Sequence, residues 1–260
     1  KYHNPGRIRE PTSTPMSLPL LQAPPMSQSF AIKGAQPLEG VLRVSGNKNA
    51  ALPIIAACLL TSEPVTLTNV PAIRDVETML ELVADLDVDV HRESGGTITI
   101  HAANDPHHEL NEELCRRIRA SILLAGPLLA RCGRAIVPPP GGDVIGRRRL
   151  DSHIHAFRDL GATVEVDRQF VMDAPTLRGA PVFLDEASVT GTENAIMAAV
   201  LAPGDTVISN AACEPHVQDL CHFLVGLGAQ IRGIGSNVLA ISGVSSLGGG
   251  SHRICPDHIE

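Results

Sequence analysis

Leu227-Gly-Ala-Gln-Ile231 has two counterparts earlier in the chain, Leu160-Gly-Ala-Thr-Val164 and Leu86-Asp-Val-Asp-Val90. Each closes an amphipathic stretch. Val76, Met79, Leu80 and Val83 recur at helical spacing ahead of the first, and Leu220, Phe223, Leu224 and Leu227 do so around the third. Gly161 and Gly228 stand where a helix C-terminus takes a left-handed residue. β-rich runs follow: Thr97-Ile-Thr-Ile100, Val164-Glu-Val166 and Val238-Leu-Ala-Ile241. Upstream of each amphipathic helix, the sequence predicts a second helix that is apolar on every face. These run from Ala50 to Leu60, Ala120 to Ala130 and Asn194 to Ala202. A helix apolar all round is buried all round. Val65-Thr-Leu-Thr68, Ala135-Ile-Val137 and Thr206-Val-Ile-Ser209 read as the strands that come next. The repeated unit is therefore strand, buried helix, strand, surface helix and two strands, predicting an α/β fold with its apolar helices gathered in the centre and sheets outside.

Composition bounds what such a fold does. The 260 residues are 43% hydrophobic, with no Trp, one Tyr and five Phe, so the core is aliphatic. The formal net charge of -7 and the scarcity of aromatics exclude a protein that coats nucleic acid or stacks on single strands. No apolar run reaches the ~20 residues of a membrane span. The six cysteines form no C-x-x-C pair, which argues against a zinc ribbon, and their pattern suits a reducing compartment better than a disulfide scaffold. Cys58, inside an apolar run, reads as core. No metal or other cofactor is expected. His153 and His155 are two apart and point away from each other on a helix, and His107-His108 reads as surface loop. Residues 1–29, rich in Pro, Ser and Gln, read as a disordered leader, with Met26 a candidate start.

One copy of the repeat is elaborated. Counting back 17 residues from Leu86, Leu160 and Leu227 reaches Asn69, Asp143 and Asn210. In the middle copy this junction has grown into Pro138-Pro-Pro-Gly-Gly-Asp-Val-Ile-Gly-Arg-Arg-Arg149. Three prolines stiffen it, two glycines are expected to loosen it, and a carboxylate and three arginines follow. Elaboration of a single copy points to function. Lys48 precedes the first buried helix, where backbone N–H groups favour an anion, and Asn49 is a candidate cap or donor.

These residues carry a resemblance. Ser45-Gly-Asn-Lys-Asn-Ala-Ala-Leu-Pro53 resembles the opening motif of the enolpyruvyl transferases. Arg119-Ala-Ser-Ile, Gly126-Pro-Leu-Leu-Ala-Arg131 and Pro140-Gly-Gly-Asp-Val-Ile-Gly-Arg-Arg-Arg-Leu-Asp-Ser-His153 are similar to the UDP-sugar branch of that family rather than the shikimate branch. The likeness runs from about Phe30 to Glu260. It implies an inside-out α/β barrel domain of three units, about 48–115, 116–180 and 181–254. Residues 30–47 would be a strand segment associated with a second, mostly absent barrel domain, and 255–260 would be its start.

The resemblance also implies a reaction: transfer of the enolpyruvyl group of phosphoenolpyruvate to the 3-hydroxyl of UDP-N-acetylglucosamine, with release of phosphate, in the bacterial cytoplasm. This is the first committed step of peptidoglycan synthesis. The partners implied are those two small molecules, with no nucleic acid and no membrane. Lys48, Asn49 and Arg148 would bind phosphoenolpyruvate. Arg119, Arg148, Arg149, Leu150, Asp151 and Ser152 would bind the nucleotide sugar, together with Glu186, Ala187, Ser188 and Val189. Asp143 would act as general acid where family members often carry cysteine, which makes thiol-directed epoxides such as fosfomycin ineffective. Two residues depart from the family pattern. Glu186 stands where a lysine is common, placing a carboxylate near a diphosphate. Cys213 replaces the arginine of Arg-Glu-Pro. Much of the family's second domain has no counterpart here, so a binding half-barrel without turnover, or an inactive remnant, is the alternative expectation.

Overall fold

The computed structural model describes residues 31, 34, 35, 37, 39–142 and 150–259. The leader and Asp143, Arg147, Arg148 and Arg149 lie outside the described residues. Two units divide the chain, Lys1–Leu42 and Arg43–Glu260. The described part of the first carries no helix or strand. The second holds every element below.

Its order follows the repeat. The first copy comprises α1 (Lys48–Ala57) with a 3₁₀ turn (Cys58–Leu60), β1 (Val65–Thr68), α2 (Arg74–Asp85), β2 (Asp89–Glu93) and β3 (Thr97–His101). In the second are a short α3 (Glu112–Arg117), a 3₁₀ segment (Arg119–Leu124), α4 (Ala125–Cys132), β4 (Arg134–Val137), α5 (Asp151–Asp159), β5 (Thr163–Val166) and β6 (Phe170–Asp173). The third has β7 (Pro181–Phe183), α6 (Val189–Ala199), β8 (Asp205–Ser209), α7 (Pro215–Gly226), β9 (Gln230–Arg232) and β10 (Val238–Ser242), and β11 (Gly250–Arg253) follows.

Three sheets result, ordered β11-β1-β3-β2, β4-β6-β5 and β7-β8-β10-β9. In the third, β7 lies parallel to β8 and the remaining pairs are antiparallel. The first copies this plan, but its parallel strand is β11, from the far end of the sequence. The middle sheet reduces that strand to one parallel bridge, Glu109 with Ile136. The three copies are thus closed in a circle, the last strand of the chain completing the first sheet.

The centre is aliphatic, as the composition requires. α1 is buried from Ala50 through Ala57, and α6 from Gly191 through Ala199. α4 packs on α6, and α1 packs on α7 and on the 3₁₀ segment. Inner strands such as β3, β8 and β10 alternate more and less buried residues, so these sheets turn one face inward and the other outward. This is the arrangement of buried helices inside and sheets outside that the repeat predicts. Gly161 and Gly228 have φ of 98° and 107°, and Asp87 fills the same position in the first copy with φ 61°.

The middle buried helix differs from the reading of a continuous helix from Ala120 to Ala130. Pro127 has no N–H to return to Leu123. The Gly126 N–H bonds instead to Asn194 Oδ1 at 2.8 Å. With two consecutive donors withdrawn from the ladder, the segment runs as 3₁₀ to Leu124 and as α-helix from Ala125. The third buried helix starts earlier than Asn194, at Val189, because Ser188 caps it by accepting from Gly191 N at 3.2 Å.

Candidate functional site

The first residue of α1 (Lys48), of the 3₁₀ segment (Arg119) and of α6 (Val189) all line one cleft of about 980 Å³. That volume suits a ligand of cofactor size. α1 and α6 present helix N-termini to it, with free N–H groups and partial positive charge. Lys48, Arg74, Arg116, Arg117 and Arg119 outnumber the acidic lining residues Asp75, Glu186 and Glu193. Such a cleft favours anions.

The α1 cap is Asn47, not Asn49. Asn47 Oδ1 accepts from Ala50 N at 2.9 Å, because the cap residue precedes the first helical one and Lys48 is already in the helix. Asn49 is half-buried on the cleft wall instead. Pro53, five residues into the helix, also lines the cleft and has no N–H for the Asn49 carbonyl. Lys48 Nζ lies 3.6 Å from Asp75 in a partly exposed pair. Arg117 bonds Glu113 at 2.5 Å and Glu81 at 3.4 Å, and Arg116 pairs with Glu112. Exposed pairs of this kind are worth at most about 1 kcal/mol, so an anion can compete for these cations. Arg119 is half-buried, and its charge acts on His153 nearby.

The two glycines of the elaborated loop lie against the segment that precedes it. A Cβ on Gly141 would stand 1.7 Å from the Arg116 carbonyl oxygen, and Gly141 N donates to Cys115 O at 2.9 Å. Gly142, at φ 86°, lines the cleft, and a Cβ there would stand 3.1 Å from Arg119 N. Glycine at both positions lets residues 141 and 142 press onto the α3–3₁₀ junction. Asp143 follows directly.

Of the segments expected to hold a nucleotide, Glu186, Ser188 and Val189 line the cleft. Ala187 is exposed beside them. Leu150, Asp151 and Ser152 are not among the described lining residues. Leu150 occupies the N-cap position of α5, Asp151 is the first helical residue, and Ser152 turns inward and is 1% exposed. A Cβ on Gly191 would meet Ser152 Oγ at 2.7 Å, so α5 and α6 touch here because position 191 is glycine.

Two further groups escaped the sequence reading. The first is a buried network. Asn194 Nδ2 donates to Ile122 O at 3.0 Å and to His153 Nδ1 at 2.9 Å, while its Oδ1 takes the Gly126 N–H. His153 Nε2 must then carry the proton and donates to Thr190 Oγ1 at 3.1 Å. Burial, and next the Arg119 charge, push the His153 pKa down to about 3, so the ring is neutral and structural. The second group faces the cleft. Glu193 is 1% exposed and its Oε1 has no hydrogen-bond partner. Burial, then Glu214, raise its pKa well above the carboxylate range. His216 is 5% exposed with an unpartnered Nδ1, and stacks on His258 at 5.9 Å. The signal for Glu193 was a lone acid bordering an apolar helix. A helix begun at Asn194 leaves that acid outside.

Among the described residues no group of three or more His, Cys, Asp or Glu side chains is placed to hold a metal, and no helix is long and apolar enough to cross a membrane. All six cysteines are free, Cys58 is buried, and Cys213 is exposed, its carbonyl accepting from Gln218. His107 and His108 are exposed, His107 bonding Asp87 at 2.7 Å. They border a second concavity of about 690 Å³ that also holds Asp85, Glu109, Glu112 and Glu113, an acidic lining unsuited to phosphates.

The fold and the cleft define a class: an α/β domain of three repeated units, with a basic cleft at the ends of its buried helices. Its sequence places it more narrowly. The chain belongs to the EPSP synthase (3-phosphoshikimate 1-carboxyvinyltransferase) family, matching it over residues 32–260. It is similar to proteins named UDP-N-acetylglucosamine 1-carboxyvinyltransferase. That of Bradyrhizobium diazoefficiens is 57% identical over 231 residues, 89% of this chain and 54% of the relative. That of Treponema denticola is 53% identical over the same shares. The chain spans about half the length of the curated relatives it matches. Among solved structures, the enolpyruvyl transferase NikO from Streptomyces tendae superposes with a TM-score of 0.74 at 23% identity, covering 86% of this chain and 53% of that one. EPSP synthase from Acinetobacter baumannii gives 0.69 at 19%, covering 84% and 50%. At these identities the structures speak to the fold.

Proposed function

We propose that the protein acts in bacterial peptidoglycan synthesis, in the cytoplasm, as the nucleotide-sugar and phosphoenolpyruvate site of a UDP-N-acetylglucosamine 1-carboxyvinyltransferase. The observation that carries this is the meeting of two helix N-termini with Lys48, Arg74 and Arg119 on one cleft, in a chain whose relatives bear that name. Phosphoenolpyruvate and a diphosphate are both anions, and fixed cations at helix N-termini suit both.

In this reading Lys48, Asn49 and Arg148 hold phosphoenolpyruvate. Arg119, Arg148, Arg149, Leu150, Asp151, Ser152 and the segment from Glu186 through Ala187 and Ser188 to Val189 hold the nucleotide sugar. Asp143 protonates the methylene carbon of phosphoenolpyruvate while the sugar 3-hydroxyl adds to the neighbouring carbon. The Asp143 carboxylate then takes a proton back from the new methyl group as the neighbouring carbon's bond to the phosphate oxygen breaks, which restores the double bond and releases phosphate, with the hydroxyl proton carried off on the phosphate.

Phosphate release from phosphoenolpyruvate, with and without UDP-N-acetylglucosamine, tests it. Sugar-dependent release that Asp143→Ala lowers by about 100-fold or more is expected for a lost general acid. Fosfomycin should leave position 143 unmodified in peptide mass mapping, since it alkylates thiols and position 143 is a carboxylate. Asp143→Cys should acquire the adduct. Labelling of the wild-type protein at Asp143 would sink that part of the reading.

A second reading is binding without turnover, which needs only the cations and helix N-termini that line this cleft. Saturable binding of UDP-N-acetylglucosamine without phosphate release would select it.

A further inference from the structure

Glu193 and His216 stand apart from the rest of the cleft. Both line it, both are more than nine-tenths buried, and each keeps a side-chain atom without a hydrogen-bond partner, Glu193 Oε1 and His216 Nδ1. Buried polar groups are nearly always satisfied, and an orphan costs about 1–3 kcal/mol. Two of them facing one cleft call for an occupant. They come from different helices, α6 and α7, so no single helix end explains them.

Their surroundings also say which part of a ligand fits. The charge acting on Glu193 is another carboxylate, Glu214. Glu193 and His216 are in none of the ion pairs found among the described residues, whereas Lys48 and Arg117 at the same cleft are in such pairs. A phosphate or carboxylate gains nothing beside Glu193 and is drawn to those cations. An uncharged hydroxyl or amide gains a donor or an acceptor. We propose that Glu193 and His216 form a subsite that hydrogen-bonds the uncharged sugar portion of the bound nucleotide sugar, its hydroxyl or acetamido group. This rests on the reading above that the cleft takes a nucleotide sugar. Glu193 enters as the neutral acid, able to donate as well as accept, because burial and Glu214 both disfavour its ionised form.

The test compares calorimetric titrations of the 260-residue protein with UDP-N-acetylglucosamine and with UDP, which lacks the sugar. Glu193→Leu should bind UDP-N-acetylglucosamine about tenfold more weakly, the loss of one buried hydrogen bond, and UDP as the wild type does. Glu193→Gln keeps a donor and an acceptor of the same shape and should stay within about threefold for both. His216→Leu should follow Glu193→Leu. Thermal melts check folding. Glu193→Leu, which removes an unsatisfied buried acid, should melt no lower than the wild type. The subsite is overturned if the leucine variant binds the nucleotide sugar undiminished, if it loses UDP equally, or if the wild type binds both ligands equally well. Binding of neither ligand by the wild type would instead overturn the nucleotide-sugar reading, and the subsite with it.

Discussion

Replacing Asn194 by leucine would leave the Gly126 N–H and His153 Nδ1 without partners and take from the Ile122 carbonyl one of its two donors, the other being Ala125 N, all in the interior. Each orphaned buried group costs about 1–3 kcal/mol, so a loss of roughly 4 kcal/mol is expected in urea unfolding, an upper-tail value for one substitution. A loss below about 1 kcal/mol would mean that water replaces the side chain. The same network sets a pH dependence. His153 has a pKa of about 3 in the folded protein, against an ordinary value near 6.5. Between those values the unfolded chain binds the extra proton, so stability rises with pH across that window and is fully present above about 6.5. From pH 6 to pH 5 this one residue should remove about 1.2 kcal/mol, and His153→Gln should flatten that slope. None of this was legible in the sequence, where His153 reads as the end of a ligand-binding run and Asn194 as the start of an apolar helix. What makes them structural is that Asn194 reaches α4 and α5 at once, and sequence spacing does not encode contacts between separate helices. Lys48, by contrast, was legible, because it precedes an apolar run whose N-terminus had to face outward from the core.

At the scale of elements, the repeat was readable wherever one residue type has one physical use. Asn69 and Asn210 fall at equal distances from their helix ends. They take the same left-handed backbone, φ 59° and 60°, and make the same bond: Asn69 Nδ2 to Ile254 O and Asn210 Nδ2 to Leu184 O, each at 2.9 Å. Asparagine serves here because it tolerates a left-handed conformation and carries a donor that reaches the neighbouring parallel strand. Asn69→Ala should therefore cost about 2 kcal/mol, part strain and part lost hydrogen bond, and Asn210→Ala about the same, since the two junctions are copies. Unequal losses, compared by urea midpoints, would show that the copies have diverged in energy while keeping their geometry. The middle helix was misread for an equally local reason. Pro53 and Pro127 both follow a run of good helix formers, yet only the second lies next to a glycine whose N–H is claimed by another helix. A Cβ on Gly126 would stand 2.8 Å from both Asn194 oxygens, and Gly126 carries no left-handed φ. Alanine there should destabilise by about 2 kcal/mol through overpacking alone.

For the whole molecule, the circular closure decides stability. Strand β11 completes the first sheet against β1, and the segment after it returns to the start of α1. Asn47 N donates to Cys255 O at 2.8 Å, Asn47 Nδ2 to Asp257 Oδ1 at 3.0 Å, and Asp257 N to Ser45 O at 2.9 Å. The sequence hid this, because a four-residue strand reading Gly-Ser-His-Arg has neither alternation nor a β-branched residue, and its partner lies about 185 residues away. One side chain of α7 fastens it from behind. Asp219 accepts from Cys255 N at 3.0 Å and from His252 Nε2 at 3.1 Å, and its side chain is only 12% exposed. Burial pushes the Asp219 carboxyl up, but the hydrogen bonds from His252 and from Cys255 N outweigh it and leave the pKa below the ordinary value. A carboxyl with a depressed folded pKa contributes stability that is fully present above its unfolded pKa, near 4, and is lost as the pH falls through the folded value. Hydrogen bonds to a charged group are worth about 1.5–3 kcal/mol each, and here they hold a strand whose release opens the first sheet. Asp219→Ala is thus expected to lower stability at pH 7 by about 3 kcal/mol, with faster hydrogen exchange at Ile254, whose N–H bonds Thr68 O at 3.0 Å. The gap between wild type and variant should narrow once the pH falls below about 4, because the wild type then loses the same interaction. A gap that stays constant down to pH 3 would show that packing against Asp219, rather than its charge, fastens the closing strand.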